Sequence, residues 1–154
     1  MAQTTDSIWG GAAYVGISSD GAAWTEIGSH GMKVTPEGGD RRVGEVYVFD
    51  SEDPITKVGK KNARDTRVDF VYTEIAADAF EVVRAQFEAA GGGTLYVRWS
   101  PNGGAIGDAG YTTDLGYVSD LRYPEVDSEA DGPIVTYFVV HHGALTRSII
   151  ATAW

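Results

Sequence analysis
The chain has 154 residues, is 43% hydrophobic and carries 22 Asp+Glu against 12 Lys+Arg, for a formal net charge of -10. Such acidity argues against a protein that grips DNA or RNA, which needs a broad basic face for the phosphates, and the absence of cysteine excludes disulfides, thiolate metal sites and cysteine nucleophiles. The length predicts one domain over residues 1–154, and the 20 Gly and five Pro with few helical patterns point to a turn-rich, mainly β chain.

In chain order, residues 8–18 read as an extended segment loosened by glycine. Ser19-Asp20-Gly21 is a turn signal, and Ala23–Ile27 a short strand. A further strand is expected around Met32–Thr35, and Pro36-Glu-Gly-Gly-Asp40 as a loop. Val43–Asp50 is rich in β-branched and aromatic residues and predicts a strand. Thr66–Thr73 has the strongest alternation: Val68, Phe70 and Tyr72 share one face, Arg67 and Asp69 the other.

The period then changes. Ala76, Phe80, Val83, Phe87 and Ala90 form one helical stripe, which predicts a single helix over about 76–90 lying on a sheet. Asp78 favours its start and Gly91–Gly93 its end. Strands follow at Thr94–Ser100, at Tyr111–Tyr123 as one long polar strand, at Pro133–His142 and at Leu145–Trp154. The expected total is eight or nine strands in an antiparallel β-sandwich or barrel with one flanking helix. Tyr47, Phe49, Phe70, Tyr72, Trp99 and Phe138 read as core or cross-strand residues.

Against the acidic background, Arg41–Arg67 holds seven of the 12 bases: Arg41, Arg42, Lys57, Lys60, Lys61, Arg64 and Arg67. The densest part, Lys57–Arg67, reads as a long basic hairpin loop between two strands. A positive arm on a negative body suits head-to-tail self-association; a plain solvated hairpin is the alternative.

Motifs for catalysis or metal binding are weak. Asp127-Ser-Glu-Ala-Asp-Gly132 opens like a calcium loop, but Phe138 stands where the bidentate acid belongs. His141 and His142 are adjacent, so in a strand they point to opposite faces and cannot share one ion. The glycine runs match no phosphate loop, and no Gly-x-Ser-x-Gly elbow is present. No enzyme, cofactor or metal is expected. The N-terminus shows no signal-peptide pattern, and no apolar run approaches the ~18 residues of a membrane helix, so no membrane partner is expected.

The order of parts resembles the major tail tube proteins of long-tailed, siphovirus-type bacteriophages, and more remotely the tube protein of type VI secretion. The resemblance rests on Glu45-Val-Tyr-Val-Phe49, the basic Lys57–Arg67 segment, Thr66–Thr73, the helix around Asp78–Ala90, Thr94–Trp99 and the Tyr-Pro-Glu-Val-Asp127 stretch before a last hairpin. It covers roughly residues 32–154; Ser7–Ser18 has no counterpart in it. It implies a structural virion protein, assembled in the host cytoplasm, whose hexameric rings stack into a tube that conducts DNA at ejection without binding it specifically. Inner sheets of neighbouring subunits would join around the lumen, and partners would include tape-measure and terminator proteins. Lys57, Lys60, Lys61, Arg64 and Arg67 become inter-subunit or inter-ring contacts. Glu45, Asp69, Asp114 and Asp120 become lumen-facing acids that repel phosphate. A carbohydrate- or receptor-binding β-sandwich using Trp24 and Trp99 as a platform is the alternative function.

Overall fold
The computed structural model describes residues 13–28 and 30–154; the expected extension over residues 8–12 lies outside them. Among the described residues there are eleven strands and one helix. In chain order the strands are β1 (Tyr14–Ser18), β2 (Thr25–Glu26), β3 (Gly31–Gly38), β4 (Arg41–Val46), β5 (Ile55–Lys61) and β6 (Arg64–Val71). After helix α1 (Ala79–Phe87) come β7 (Thr94–Ser100), β8 (Ala109–Thr113), β9 (Gly116–Leu121), β10 (Val135–His142) and β11 (Leu145–Ile149). Every strand pair is antiparallel. The mainly β architecture with one helix is as the sequence predicts.

Nine strands form one sheet in the order β11-β8-β7-β9-β10-β6-β3, with β1 added to β7 and β2 to β1. So long a twisted sheet must curl or split. Here it folds over, because inward residues from both ends meet in one cluster. Val15, Ile17, Val97 and Trp99 come from the β1–β7 side; Val68, Phe70, Phe138 and Val140 come from the β6–β10 side. Phe70 and Phe138 lie at 0% exposure with ring centroids 5.7 Å apart. The β6 alternation places Thr66, Val68 and Phe70 inward, as the sequence implies.

The helix is shorter than its stripe. Ala79, Phe80 and Val83 are buried, Phe87 is at the margin of exposure, and Ala76 and Ala90 lie beyond the helix ends. Asp78 is the N-cap residue, and Thr73 donates its hydroxyl to the Asp78 carboxylate. Gly91 turns to φ +82°, and the Gly93 N–H donates to the Gln86 carbonyl at 2.9 Å. Phe80 meets Tyr72 and Tyr123 edge-on, so α1 closes one side of the core where it packs on β9 and β7.

Among the expectations that fail, three have their reason in the strand pairing. Pro36–Gly38 is strand rather than loop: β3 is an edge strand paired only with β6, and an edge tolerates a proline. Tyr111–Tyr123 is two strands, because the chain crosses from the β8 side to β10 at Asp114-Leu115. Gly116 permits the crossing; a Cβ there would run into Val140 Cγ1. Finally, Lys57–Lys61 is not a loop but most of strand β5, paired with β4 as a separate two-stranded sheet.

Candidate functional site
The β3–β6 pair and the β4–β5 pair form one long hairpin, bent where they join. Gly38 and Gly39 take φ of +76° and +75°, a conformation glycine alone adopts without strain. Opposite them, the Asn62 N–H donates to the Asp40 carbonyl at 2.8 Å, and Arg42 Nε donates to Asn62 Oδ1 at 3.0 Å. Beyond this bend every residue of β4 and β5 is exposed. The register puts Val43 beside Val58 on one face and Val46 beside Ile55 on the other. Each face therefore shows apolar surface, and an isolated two-stranded ribbon is only marginally stable in water.

Charge is segregated along this arm. Arg41, Arg42, Lys57, Lys60 and Lys61 make the stem basic. The loop between β4 and β5 is acidic and aromatic instead: Tyr47-Val-Phe-Asp-Ser-Glu-Asp53. Tyr47 and Phe49, expected in the core, stand in water, with Phe49 at 110% exposure. Their β-forming character is real, but the strand ends at Val46 and none of the described residues covers them.

The five bases expected to make contacts separate into two groups. Lys57, Lys60 and Lys61 lie on the exposed β5 ribbon. Arg64 starts β6, and its guanidinium lies against Gly39 at the bend. Arg67 sits mid-β6 on the body, 3.8 Å over the Tyr137 ring, and its Nη2 donates to Asp69 Oδ1 at 2.8 Å. That hydrogen bond pushes the Arg67 pKa up.

The four acids also separate. Asp69 and Asp120 share the outward face of the β3-β6-β10-β9 half: Asp69 lies opposite Tyr137 and Lys33, Asp120 opposite Val139. Glu37 and Asp65 lie on the same face, so four carboxylates there stand beside Lys33, Arg67 and, past the end of β9, Arg122. Glu45, by contrast, is on the arm. Asp114 is in the β8–β9 turn rather than in a strand, where its Oδ1 accepts the Gly143 N–H at 3.0 Å.

The remaining candidates take structural places. Trp99 is 9% exposed and stacks on Tyr111, and the guanidinium of Arg98 lies 4.3 Å from the Trp24 ring. The two tryptophans therefore do not form the open platform that a sugar-binding module needs. His141 faces outward and pairs with Asp65 at 2.7 Å, while His142 faces inward against Thr66 at 2.8 Å. The adjacent histidines thus point apart, as their spacing implies. Asp127 Oδ1 accepts the Glu129 N–H at 2.9 Å, an Asx-type turn.

Two features escape the sequence. One is the acidic, apolar loop at the arm's end. The other is a cavity of about 420 Å³ between β1, β3 and β7, lined by Val15, Met32, Lys33, Val34, Trp99 and Pro101 among others.

Neither a family model nor a curated protein matches the sequence. The fold, however, is shared with solved structures of tail-like particles. A chain of the anti-feeding prophage cap, which terminates that particle's tube, superposes with a TM-score of 0.66 at 10% identity, over 97% of this chain and 95% of that one. A chain of the sheath–tube complex of an extracellular contractile injection system gives 0.66 at 8% identity, over 97% and 100%. A chain from the tail of an empty GTA particle, solved with C6 symmetry, gives 0.57 at 12% identity, over 97% and 100%. At these identities the likeness is one of fold. It spans contractile systems and a GTA tail, and does not single out the long-tailed phages.

Proposed function
We propose that this chain is a non-catalytic subunit of a tail tube, assembling with copies of itself into stacked hexameric rings around a conduit for DNA. The observation that carries the reading is the β4–β5 arm, a ribbon exposed on both faces with apolar residues on each. Such a ribbon gains stability only against another molecule. The shared fold with chains of tube, cap and tail particles supports this, and the six-fold symmetry of two of those particles supports a hexamer.

In this reading Lys57, Lys60 and Lys61 are the inter-subunit or inter-ring bases, with Arg64 bracing the bend. The face bearing Asp69 and Asp120 turns to the lumen, where carboxylates keep DNA from adhering. Glu45 and Asp114 lie away from that face and serve other contacts. Tape-measure and terminator proteins would be the further partners, in a phage tail assembled in the host cytoplasm.

Negative-stain microscopy of the purified protein tests the proposal. Rings or tubes are expected; a monomer at high concentration across a range of salt overturns it. Replacing Asp69 and Asp120 by Lys should leave tubes that retain DNA fragments which wild-type tubes release. Equal release by both overturns the lumen assignment alone.

A further inference from the structure
We infer that the arm's end from one subunit seats Phe49 in the β1/β3/β7 cavity of a neighbouring copy, with its carboxylates meeting Lys33 there. The inference rests on the self-assembly proposed above and names the two surfaces that join.

The two surfaces match in size, apolar character and charge. Phe49 is fully exposed, and Tyr47 and Val48 beside it are exposed too. Three adjacent apolar side chains exposed on one loop mark an interaction surface in a way that a single exposed ring does not. The cavity of about 420 Å³ is floored by Trp99, Val15 and Val34, with the exposed Met32 beside them. An aromatic ring needs less room than this, since a cavity of ~150 Å³ takes up benzene. Asp50, Glu52 and Asp53 follow Phe49 directly, and Lys33 contributes to the cavity lining. An acidic loop arriving at this mouth finds a cation there, and such pairing guides orientation more than it adds affinity.

The arm cannot serve its own cavity. That cavity lies at the base of the same hairpin, beside Gly31–Val34 of β3. Phe49 follows Val34 by about 15 residues, up to about 50 Å of extended chain at ~3.3 Å per residue. The β4–β5 ribbon carries it away from the body, so a Phe49 that fills this cavity comes from a second copy. Loop and cavity are different surfaces of the same chain, so the contact is head-to-tail and repeats from subunit to subunit, as a ring or filament requires.

The chain has no cysteine, so introduced thiols report this contact without background. Phe49→Cys and Met32→Cys subunits are purified separately, mixed, allowed to assemble and mildly oxidised. A disulfide needs Cα atoms within about 7 Å. The expected product on a non-reducing gel is a covalent dimer holding one chain of each variant; a chain carrying both changes should give a ladder. In parallel, Phe49→Ser should raise the concentration at which tubes form by roughly ten- to a hundredfold, with an unchanged circular dichroism spectrum. Lys33→Glu should weaken assembly, and Asp50→Lys with Glu52→Lys in the same chain should recover it.

Tubes that form normally but give no mixed dimer overturn the docking and leave the proposed function standing. So do a bond closing within one chain and Phe49→Ser tubes forming at the wild-type concentration. Wild-type protein that never assembles overturns both.

Discussion

β5 and β6 are consecutive strands of seven and eight residues, joined through Asn62-Ala63, yet they meet water in opposite ways. β6 alternates, with Thr66, Val68 and Phe70 buried. β5 is exposed at every position. The difference follows from spacing. In β6 the apolar residues fall two apart and so share a face. In β5 Ile55 and Val58 are three apart and lie on opposite faces, beside Val46 and Val43 respectively. A body packed on one side can bury only one of those faces. β6 is thus specified by its own subunit, whereas β5 awaits something that can meet both of its surfaces.

The largest effect expected from this contrast is in the core. Phe138→Ala should destabilise the isolated subunit by about 3–5 kcal/mol, because the ring is buried against Phe70 and leaves a cavity. Phe49→Ala should change that stability by no more than ~0.5 kcal/mol, since an exposed ring on a loop has nothing to leave behind. Chemical denaturation of both variants at low protein concentration makes the comparison. A substantial loss with Phe49→Ala would mean that the arm's end packs on its own subunit.

Next in size is the charge of the stem. Changing Lys57, Lys60 and Lys61 to Glu should raise the concentration needed for assembly by roughly ten- to a hundredfold, about 1.4–2.7 kcal/mol. Denaturation of the monomer should be almost unmoved, because all three side chains are exposed. Sedimentation at several ionic strengths checks this: the wild type should lose assembly as salt screens the stem, and the variant should lose that dependence. Unaltered assembly by the variant would remove the stem from the interface.

These two regions were not equally legible. β6, β7 and the helix could be read because one face of each is buried, and burial imposes a period of two or about 3.6 on the residues. The arm has no buried face, so its sequence carries no period. Lys57, Lys60 and Lys61 read as a loop although they lie in strand β5, and Tyr47 and Phe49 read as core although no described residue covers them. Of the four acids expected to act together, Asp69 and Asp120 share a face. Asp114 does not join them, because the crossing from β8 to β9 at Asp114-Leu115 depends on which strands pair, and pairing is a property of the whole chain. The cavity is likewise invisible in sequence: its walls come from β1, β3 and the end of β7, far apart along the chain.

The bend between the two regions can be tested on its own. Gly39 sits at φ +75° with the Arg64 guanidinium where a Cβ would go. Gly39→Ala should cost about 1 kcal/mol in the monomer. More of its effect should appear in assembly, since the bend aims the arm. A variant that assembles as well as wild type would mean that the arm's angle is not fixed by this joint.

The smallest expected effect lies in the body, at the β1–β2 turn, and it shows what a locally completed turn looks like beside the uncovered end of the arm. The Asp20 carboxylate accepts the Ala22 N–H at 2.8 Å, the Ala23 N–H at 2.9 Å and the Ser18 hydroxyl at 2.9 Å. These bonds, the Ala22 N–H first, hold its pKa below the ordinary aspartate value. A carboxylate whose pKa is depressed by folding contributes stability above its unfolded pKa, and that contribution is lost as pH falls through the folded value. Asp20→Asn should therefore lower the melting temperature slightly at neutral pH, and the difference from wild type should shrink as the pH drops below about 4. Thermal melts at neutral and acidic pH check the sign. A gap between the two proteins that widens on acidification would show that Asp20 does not hold this turn as a carboxylate.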